Sequence, residues 1–407
     1  MDQVLSTAAE IPPHVPRELV RDFQYHNLPG ANVDAVQAAA DAVRGGPEIF
    51  YALNVRHGYI NHWVVTTHEL IREIFQSPEV FSSKGGANFS ALLGETWDLL
   101  PLEVDPPEHD KWRVLMNPVF SPKRMKAVED DIKATAAKLV DRALAKGESE
   151  FVGDFSEVFP VTIFLSLMGL PLDQTAQFLE WENGILHSGD MATRIACARA
   201  INDYLLSVIA ARRKAPTDDL VSYILSQPVD GRAVTDQEAL GICFLLFVAG
   251  LDTVTATLGF IFKHLAEHPE HQQQLRDDPA LIPEAIEELM RAYPIVISSR
   301  LVMQDIDFHG VKMKQGDRVS LATMLAGRDG AEFPNPDVVD FGRDKVSHIS
   351  FAAGPHRCIG SHLARREMRV ALEEWLSRVP PFRVKPGETP VTHAMGVFGV
   401  DYLPLVW

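Results

Sequence analysis

The 407 residues predict a mainly α protein with a small β region (α+β), built as one large unit around a long interior helix. Three observations carry that reading. First, the 12 residues Leu240 to Leu251 are apolar almost throughout, inside a segment opened by Thr235-Asp-Gln-Glu238 and closed by His268-Pro269. The opening is a capping box, in which Thr and the Glu three residues on each satisfy a free backbone N–H. Second, a helix from Thr235 to Glu267 would be about 50 Å long and apolar on nearly every face, so other helices must surround it. Third, β-rich runs sit towards both ends of the chain and helical patterns fill its centre. Strands near residues 50–65 and 300–320 would then meet in one sheet, so the unit is taken as residues 1–407.

The elements follow in order. A Pro-rich, irregular arm covers about residues 1–30. FYALNVR and YINHWVVTT about a His57-Gly58 turn read as a hairpin. Thr66 and Glu69 form a helix-start signal, and the Gly/Ser-rich stretch from Ser82 to Ser90 reads as loop. From Asp110 to about Ala266 the pattern is helical, punctuated by Pro118, Pro122, Pro160 and Pro171. EAIEELMRAY after Pro283 is a helix, followed by strand-like runs in RLVMQDIDFHGVKM and DRVSLATM. A turn-rich stretch from Gly327 to Ser350 leads into a loop, a helix and a strand-like end.

Composition narrows the function. At 46% hydrophobic and 23% charged, the chain is neither disordered nor a small disulfide scaffold. A net charge of −17 repels phosphate backbones, so no nucleic-acid partner is expected. Three scattered cysteines, Cys197, Cys243 and Cys358, fit a reducing cytoplasm. The N-terminus shows no secretory pattern, and the 12-residue apolar run falls short of the roughly 20 that a bilayer span needs. A soluble, cytoplasmic protein with no membrane contact is the expectation.

The chemistry centres on Cys358. Phe351, Gly354, His356, Arg357, Cys358 and Gly360 give F-x-x-G-x-H-R-C-x-G just before a helix. A cysteine at a helix N-terminus meets unpaired N–H groups and the positive end of the dipole, which favours thiolate. The glycines would leave room for a flat macrocycle, and His356 and Arg357 offer cations for its carboxylates. A thiolate on haem iron pushes electron density toward oxygen and favours O–O cleavage. This loop resembles the signature of the bacterial cytochromes P-450, which are haem-thiolate monooxygenases. Three distant segments strengthen the resemblance: Glu288-Leu-Met-Arg291, Ala249-Gly250-Leu251-Asp252-Thr253, and Asp105-Pro-Pro-Glu-His109-Asp-Lys-Trp-Arg113.

The resemblance implies the P-450 fold, with the long helix over haem b and Cys358 on its iron. Glu288 and Arg291, i and i+3 on one helix face, would join Arg343 in a structural set. Asp252 would relay protons and Thr253 would donate to oxygen, in a groove opened where Ala249 and Gly250 weaken the helix. Taken by itself, Thr253 would more simply bond back to a carbonyl one turn earlier. His109, Arg113, Arg300 and His356 are the candidates for the haem propionates. No G-x-G-x-x-G follows a strand, so electrons must come from outside. Residues 105–126 hold five Lys/Arg against three Asp/Glu, and residues 343–366 hold five against one. The resemblance implies an acidic [2Fe–2S] ferredoxin docking there on Arg113, Lys345 and Arg365, fed by an NADH-dependent ferredoxin reductase.

Within the family, GSHLARRE, RDKVSH and the closing LPLVW resemble the camphor-hydroxylase subfamily. Substrate contacts would then fall on Trp97, Leu245, Val248, Thr253, Val296 and Val397, an apolar set suited to a compact terpenoid. The camphor enzyme has a tyrosine where this chain has Trp97, whose N–H could still hold a ketone from a different point. Together with Ser298 and Ser299 near the haem edge, that departure points to an ionone-like norisoprenoid or monocyclic terpenoid. Two other readings stay open at this stage: a haem-thiolate peroxygenase, which would not need the acid–alcohol pair, and a haem-based ligand sensor.

Overall fold

The computed structural model describes residues 11–56, 60–344 and 346–407. Its axis is the helix Asp236–Glu267, 32 residues long. The capping box forms as its sequence dictates: Thr235 Oγ1 accepts from Glu238 N–H at 3.2 Å, and Glu238 Oε2 accepts from Thr235 N–H at 2.8 Å. Arg232 grips the same carboxylate through two nitrogens, and this pairing pulls the Glu238 pKa down to about 2 despite partial burial. Beyond the cap most of the helix is buried, with Leu240, Ile242, Phe244, Phe247, Leu251, Phe260 and Phe262 each 2% exposed or less. By length and hydropathy it would pass for a membrane span, so counting the apolar run understated it. Its burial among other elements makes it the core helix of this fold.

The helices Val158–Met168, Thr175–Leu186 and Met191–Lys214 lie against it, as does the strand Phe398–Tyr402. Around its C-terminal half, Phe151, Phe155, Phe262, Trp375 and Phe382 form one aromatic cluster of stacked and edge-on pairs. Such pairs add roughly 0.5–1.5 kcal/mol each beyond the area they bury.

The main sheet joins distant parts of the sequence. Its strand order is Val20–Arg21, Ile49–Arg56, Ile60–Val65, Arg318–Ala322, Ile297–Val302, Phe81–Ser82. Val319 pairs in parallel with Trp63 and antiparallel with Arg300, so the early hairpin and the late strands share one sheet. The expected His57-Gly58 turn lies outside the described residues, as do residues 1–10 of the arm. The rest of the arm is irregular apart from short 3₁₀ turns and the two-residue strand Val20–Arg21.

One helix start moves. Thr67, not Thr66, is the N-cap of His68–Gln76, and its side chain caps nothing. The His68 N–H is taken instead by the carboxylate of Asp329 at 2.8 Å. A tertiary partner does the work that the local signal assigned to Thr66.

Candidate active site

The loop before the helix Ser361–Arg378 folds back on itself. Cys358 N–H donates to Phe351 C=O at 2.9 Å, and Arg113 Nη1 donates to Arg357 C=O at 2.8 Å, clamping the loop from the helix Glu108–Met116. Gly354 has φ +68°, and a Cβ there would stand 2.3 Å from the Phe75 carbonyl oxygen. Its lack of a side chain therefore serves contact with the helix His68–Gln76, not space for a macrocycle, which corrects the expectation for this glycine. Gly360 caps the helix, and a Cβ there would meet the Cys358 sulfur at 3.8 Å.

The Cys358 sulfur opens onto a cavity of about 320 Å³. Phe351, Gly360, Ala249, Gly250, Thr253, His109, Arg113 and His356 also line it, so segments far apart in the sequence converge there. In the protein alone, burial pushes the thiol pKa up. The Gly360 N–H and the Arg113, Arg357 and Arg365 guanidiniums oppose this without overcoming it. The N–H at the helix start thus acts in the expected direction, while desolvation outweighs it and the nearby charge.

Cations gather at one edge of this cavity. The rings of His109 and His356 lie 4.5 Å apart, and both Nε2 atoms are buried without a hydrogen-bond partner. Burial lowers the pKa of both imidazoles. Arg300, 5% exposed, donates to the Ser299 carbonyl and lies over the Phe75 ring, facing a second cavity that adjoins the first at Val296 and Ser298. Asp105 ties the group together. It accepts from Ser82 Oγ and from Ser83 N–H and lies 3.6 Å from His356 Nε2. Burial would raise its pKa, but these partners hold it below the usual carboxylate range.

On the opposite side runs the central helix. It runs as α-helix from Asp236 to Glu267, and Gly250 lines the cavity. A Cβ at Gly250 would stand 2.5 Å from the ring of Phe164, so the glycine also admits that ring. Thr253 Oγ1 donates to the Ala249 carbonyl at 3.0 Å, the ordinary habit of a mid-helix threonine, while facing the cavity. Asp252 is buried at 8% exposure, with Oδ1 3.4 Å from His187 Nε2.

Below the thiol loop, Glu288 and Arg291 are fully buried and doubly hydrogen-bonded, at 2.8 and 2.9 Å. Arg343 Nε reaches both Glu288 oxygens, at 3.2 and 3.1 Å. Arg291 also donates to the carbonyls of Gly327, Pro336 and Val338, which anchors the turn-rich stretch before the cysteine.

The comparisons with known proteins agree with this geometry. The profile of the family "Cytochrome P450" matches residues 176–399. A probable cytochrome P450 127A1 of Sinorhizobium fredii is 41% identical over 98% of this chain and 97% of its own. The chain is a cytochrome P450. Among solved structures, cytochrome P450 CYP101C1 is similar with a TM-score of 0.87 and 35% identity, covering 98% of this chain and all of that one. CYP101J2 is similar with the same TM-score at 32% identity, covering 98% and 99%. A steroid C26-monooxygenase of Mycobacterium tuberculosis is 31% identical over 84% of this chain and 94% of its own.

Cytochromes P450 carry haem b, and the residues present fit it. The cavity offers a thiol on one wall, and the orphaned Nε2 of His109 at its edge has no acceptor in the protein. Buried unpaired polar atoms of this kind are uncommon in native proteins and suit the carboxylates of a bound group. His109, His356 and Arg113 line the haem cavity itself, and Arg300 reaches the same edge from the adjoining one.

The substrate side of this P450 departs from expectation at two residues. Trp97 lines neither cavity: its indole N–H donates to Glu95 Oε2 at 2.6 Å and its ring packs on Phe244. It fastens its loop through Glu95 to Arg199 and is not positioned to hold a ketone. Val248 lies outside the arc of the central helix formed by Leu245, Ala249 and Thr253, and lines neither cavity. Leu245 and Val296 line the haem cavity, and Val397 lines the second one.

On the electron side, Arg113 is half-buried against the loop carbonyl and Arg365 is paired with Glu287 at 2.5 and 2.7 Å. Neither is a free docking charge, and Lys345 lies outside the described residues. The exposed cations beside this loop are Arg357 and, on the helix Pro122–Ala127, Lys123, Arg124 and Lys126. Local charge counts found the segments but could not show which members were already paired.

Sequence reasoning passed over three further groups: Asp105 as the tie between Ser82, Ser83 and His356, the fully buried Glu367, and His187 beside Asp252. Burial holds the Glu367 carboxyl well above its ordinary pKa on the wall of the haem cavity. Asp105 and Glu367 stood inside quoted segments without being given a role, and His187 stood in none.

Proposed function

We propose that this P450 is a cytoplasmic monooxygenase that hydroxylates a small cyclic terpenoid or norisoprenoid, ionone-like or camphor-like, with electrons from a [2Fe–2S] ferredoxin. The observation that carries the substrate class is the wall of the haem cavity above the thiol: Leu245, Leu246, Ala249, Val254, Ile295 and Val296. Such a lining gains about 25 cal/mol for each Å² of hydrocarbon it removes from water. With the Trp97 N–H committed to Glu95, the hydroxyls of Ser298 and Thr253 are the polar handles at hand for a single carbonyl.

Bound haem supplies oxygen binding and the two-electron cleavage of O–O. The chain's own residues do the rest. The apolar wall excludes water from the substrate. Thr253, released from the Ala249 carbonyl, donates a hydrogen bond into the cavity, and Asp252 restores the proton from behind it. This acid–alcohol pair favours oxygen-driven chemistry over peroxide-driven chemistry, because only the former draws protons through such a pair.

Titration of the ferric protein with β-ionone, camphor and monocyclic terpenoids is expected to give a full low-to-high spin shift for at least one compact ketone. If none of them shifts the spectrum while larger steroids do, the substrate class is wrong. For the electron donor, Lys123→Glu with Arg124→Glu is expected to lower ferredoxin-driven turnover about tenfold and to flatten its salt dependence. An unchanged ferredoxin dependence in that variant would remove this docking face.

A further inference from the structure

Asp252 belongs to a buried cluster that extends beyond the haem cavity. Ligand atoms of Glu182, at the end of the helix Thr175–Leu186, of His187 and of Asp252 all lie within 4.8 Å of one another. Glu182 is 3% exposed. Among the described residues, Glu182 Oε1, His187 Nδ1 and Asp252 Oδ2 have no hydrogen-bond partner. Each such atom costs about 1–3 kcal/mol, so three in one place are not explained by stability.

The cluster continues outward. The ring of His187 lies 5.0 Å from that of His393, whose Nδ1 is 2.6 Å from Asp401 Oδ1. The Asp401 side chain is 52% exposed and meets solvent. His393 Nε2 is again buried and unpartnered. The ring is given room by its strand neighbour, because a Cβ at Gly399 would stand 2.5 Å from His393 Cε1. His187 and Asp252 also line the second cavity. A zinc ion takes deprotonated carboxylates about 2 Å away, whereas burial lifts the Glu182 carboxyl to about 9. Unpaired atoms strung between solvent and a carboxylate suit protons and bridging water instead.

We propose that Asp401, His393 and His187, with Glu182 beside them, form the outer half of a proton relay that recharges Asp252, with His187 passing each proton inward. This rests on the reading of Asp252 given above. A hydroxylation takes up one O2, two electrons and two protons and yields one alcohol and one water. The relay supplies the protons from solvent and needs no other reactant. Each proton leaves His187 Nε2 for Asp252 Oδ1, and Nδ1 is restored from the His393 side.

The charges around His187 suit that task. Burial opposes its cationic form, but the bond to Asp252 and the charges of Asp252, Asp401 and Glu157 outweigh it and raise the imidazole pKa. Burial next to Asp252 and Glu157 lifts the Glu182 carboxyl to about 9, so it keeps its proton at neutral pH. The groups facing His187 are thus Asp252 from the central helix, Glu182 from its own, Glu157 from the start of Val158–Met168, and His393 and Asp401 from the strands Val391–Ala394 and Phe398–Tyr402. The donor form of His187 is present below its raised pKa and is lost as pH rises through it. The oxygen-dependent step should therefore slow on the alkaline side.

The test uses the holoenzyme with its reductase, ferredoxin and a coupled substrate. His187→Gln is expected to slow the oxygen-dependent step about tenfold, raise the solvent deuterium isotope effect, divert oxygen to peroxide and erase the alkaline limb. His393→Gln should act in the same direction more weakly. Intact carbon monoxide and spin-shift spectra would establish that both variants fold and bind substrate. His187→Arg keeps a cation beside Asp252 without titrating, so a purely structural role predicts full rescue and the relay predicts no alkaline limb. Imidazole ¹⁵N shifts of His187 in the ferric protein should titrate above the ordinary histidine range. If Asp252→Asn slows turnover while both glutamine variants keep wild-type coupling and pH profile, the relay is overturned alone. If Asp252→Asn itself turns over normally, the reading of Asp252 falls.

Discussion

Replacing Cys358 with serine is expected to reduce substrate oxidation below about a thousandth of the wild-type rate, the scale on which loss of a reacting group acts. The reduced, carbon monoxide-treated variant should lose the absorption band of thiolate ligation. The expectation rests on the position of the sulfur, which opens onto the haem cavity from a loop closed by the Phe351 carbonyl and the Arg113 guanidinium. Cys197 and Cys243 have no such setting. Cys243 is fully buried on the central helix, where desolvation pushes its thiol up to about 12. Cys243→Ala and Cys197→Ser should both keep the thiolate band. Oxidation surviving in Cys358→Ser, or the band disappearing in Cys243→Ala, would contradict the assignment.

Arg291→Ala should have the largest effect on stability. The side chain is fully buried, pairs twice with Glu288 and holds the carbonyls of Gly327, Pro336 and Val338. Its removal leaves a buried carboxylate and several acceptors without their donor, and breaking a buried pair in this way costs about 3–5 kcal/mol. Urea denaturation of the holoprotein should show that loss, with haem retained poorly even where the chain folds. Arg343→Ala should act more mildly, because Asp340 N–H and Arg291 still satisfy Glu288. A loss below about 1 kcal/mol in Arg291→Ala would mean that this network does not hold the cysteine loop's approach in place.

The features legible in the sequence were those whose physics is local. The capping box at Thr235 and Glu238 involves residues within one turn, and it forms as read. The β-rich runs near residues 50–65 and 300–320 marked strands, and strands from both do share a sheet. The motif around Cys358 marked the loop and the helix after it. The readings that failed were those in which a neighbour from elsewhere intervened. Thr66 lost its role to Asp329, a residue of the turn-rich stretch. Trp97 was placed in the pocket because its position matched, but Glu95 and Phe244 hold it away from both cavities. Gly354 was assigned to the cofactor, yet it makes room for a piece of protein, the Phe75 carbonyl.

The sequence by itself determined the α+β class and the central helix, from spacing and periodicity within short windows, and the motif around Cys358 carried the resemblance to the family. Only the tertiary structure decided which charges are free and which are paired, where the cavity walls run, and that His187 stands against Asp252. Those outcomes depend on desolvation and on contacts between residues distant along the chain, and neither leaves a trace in local spacing.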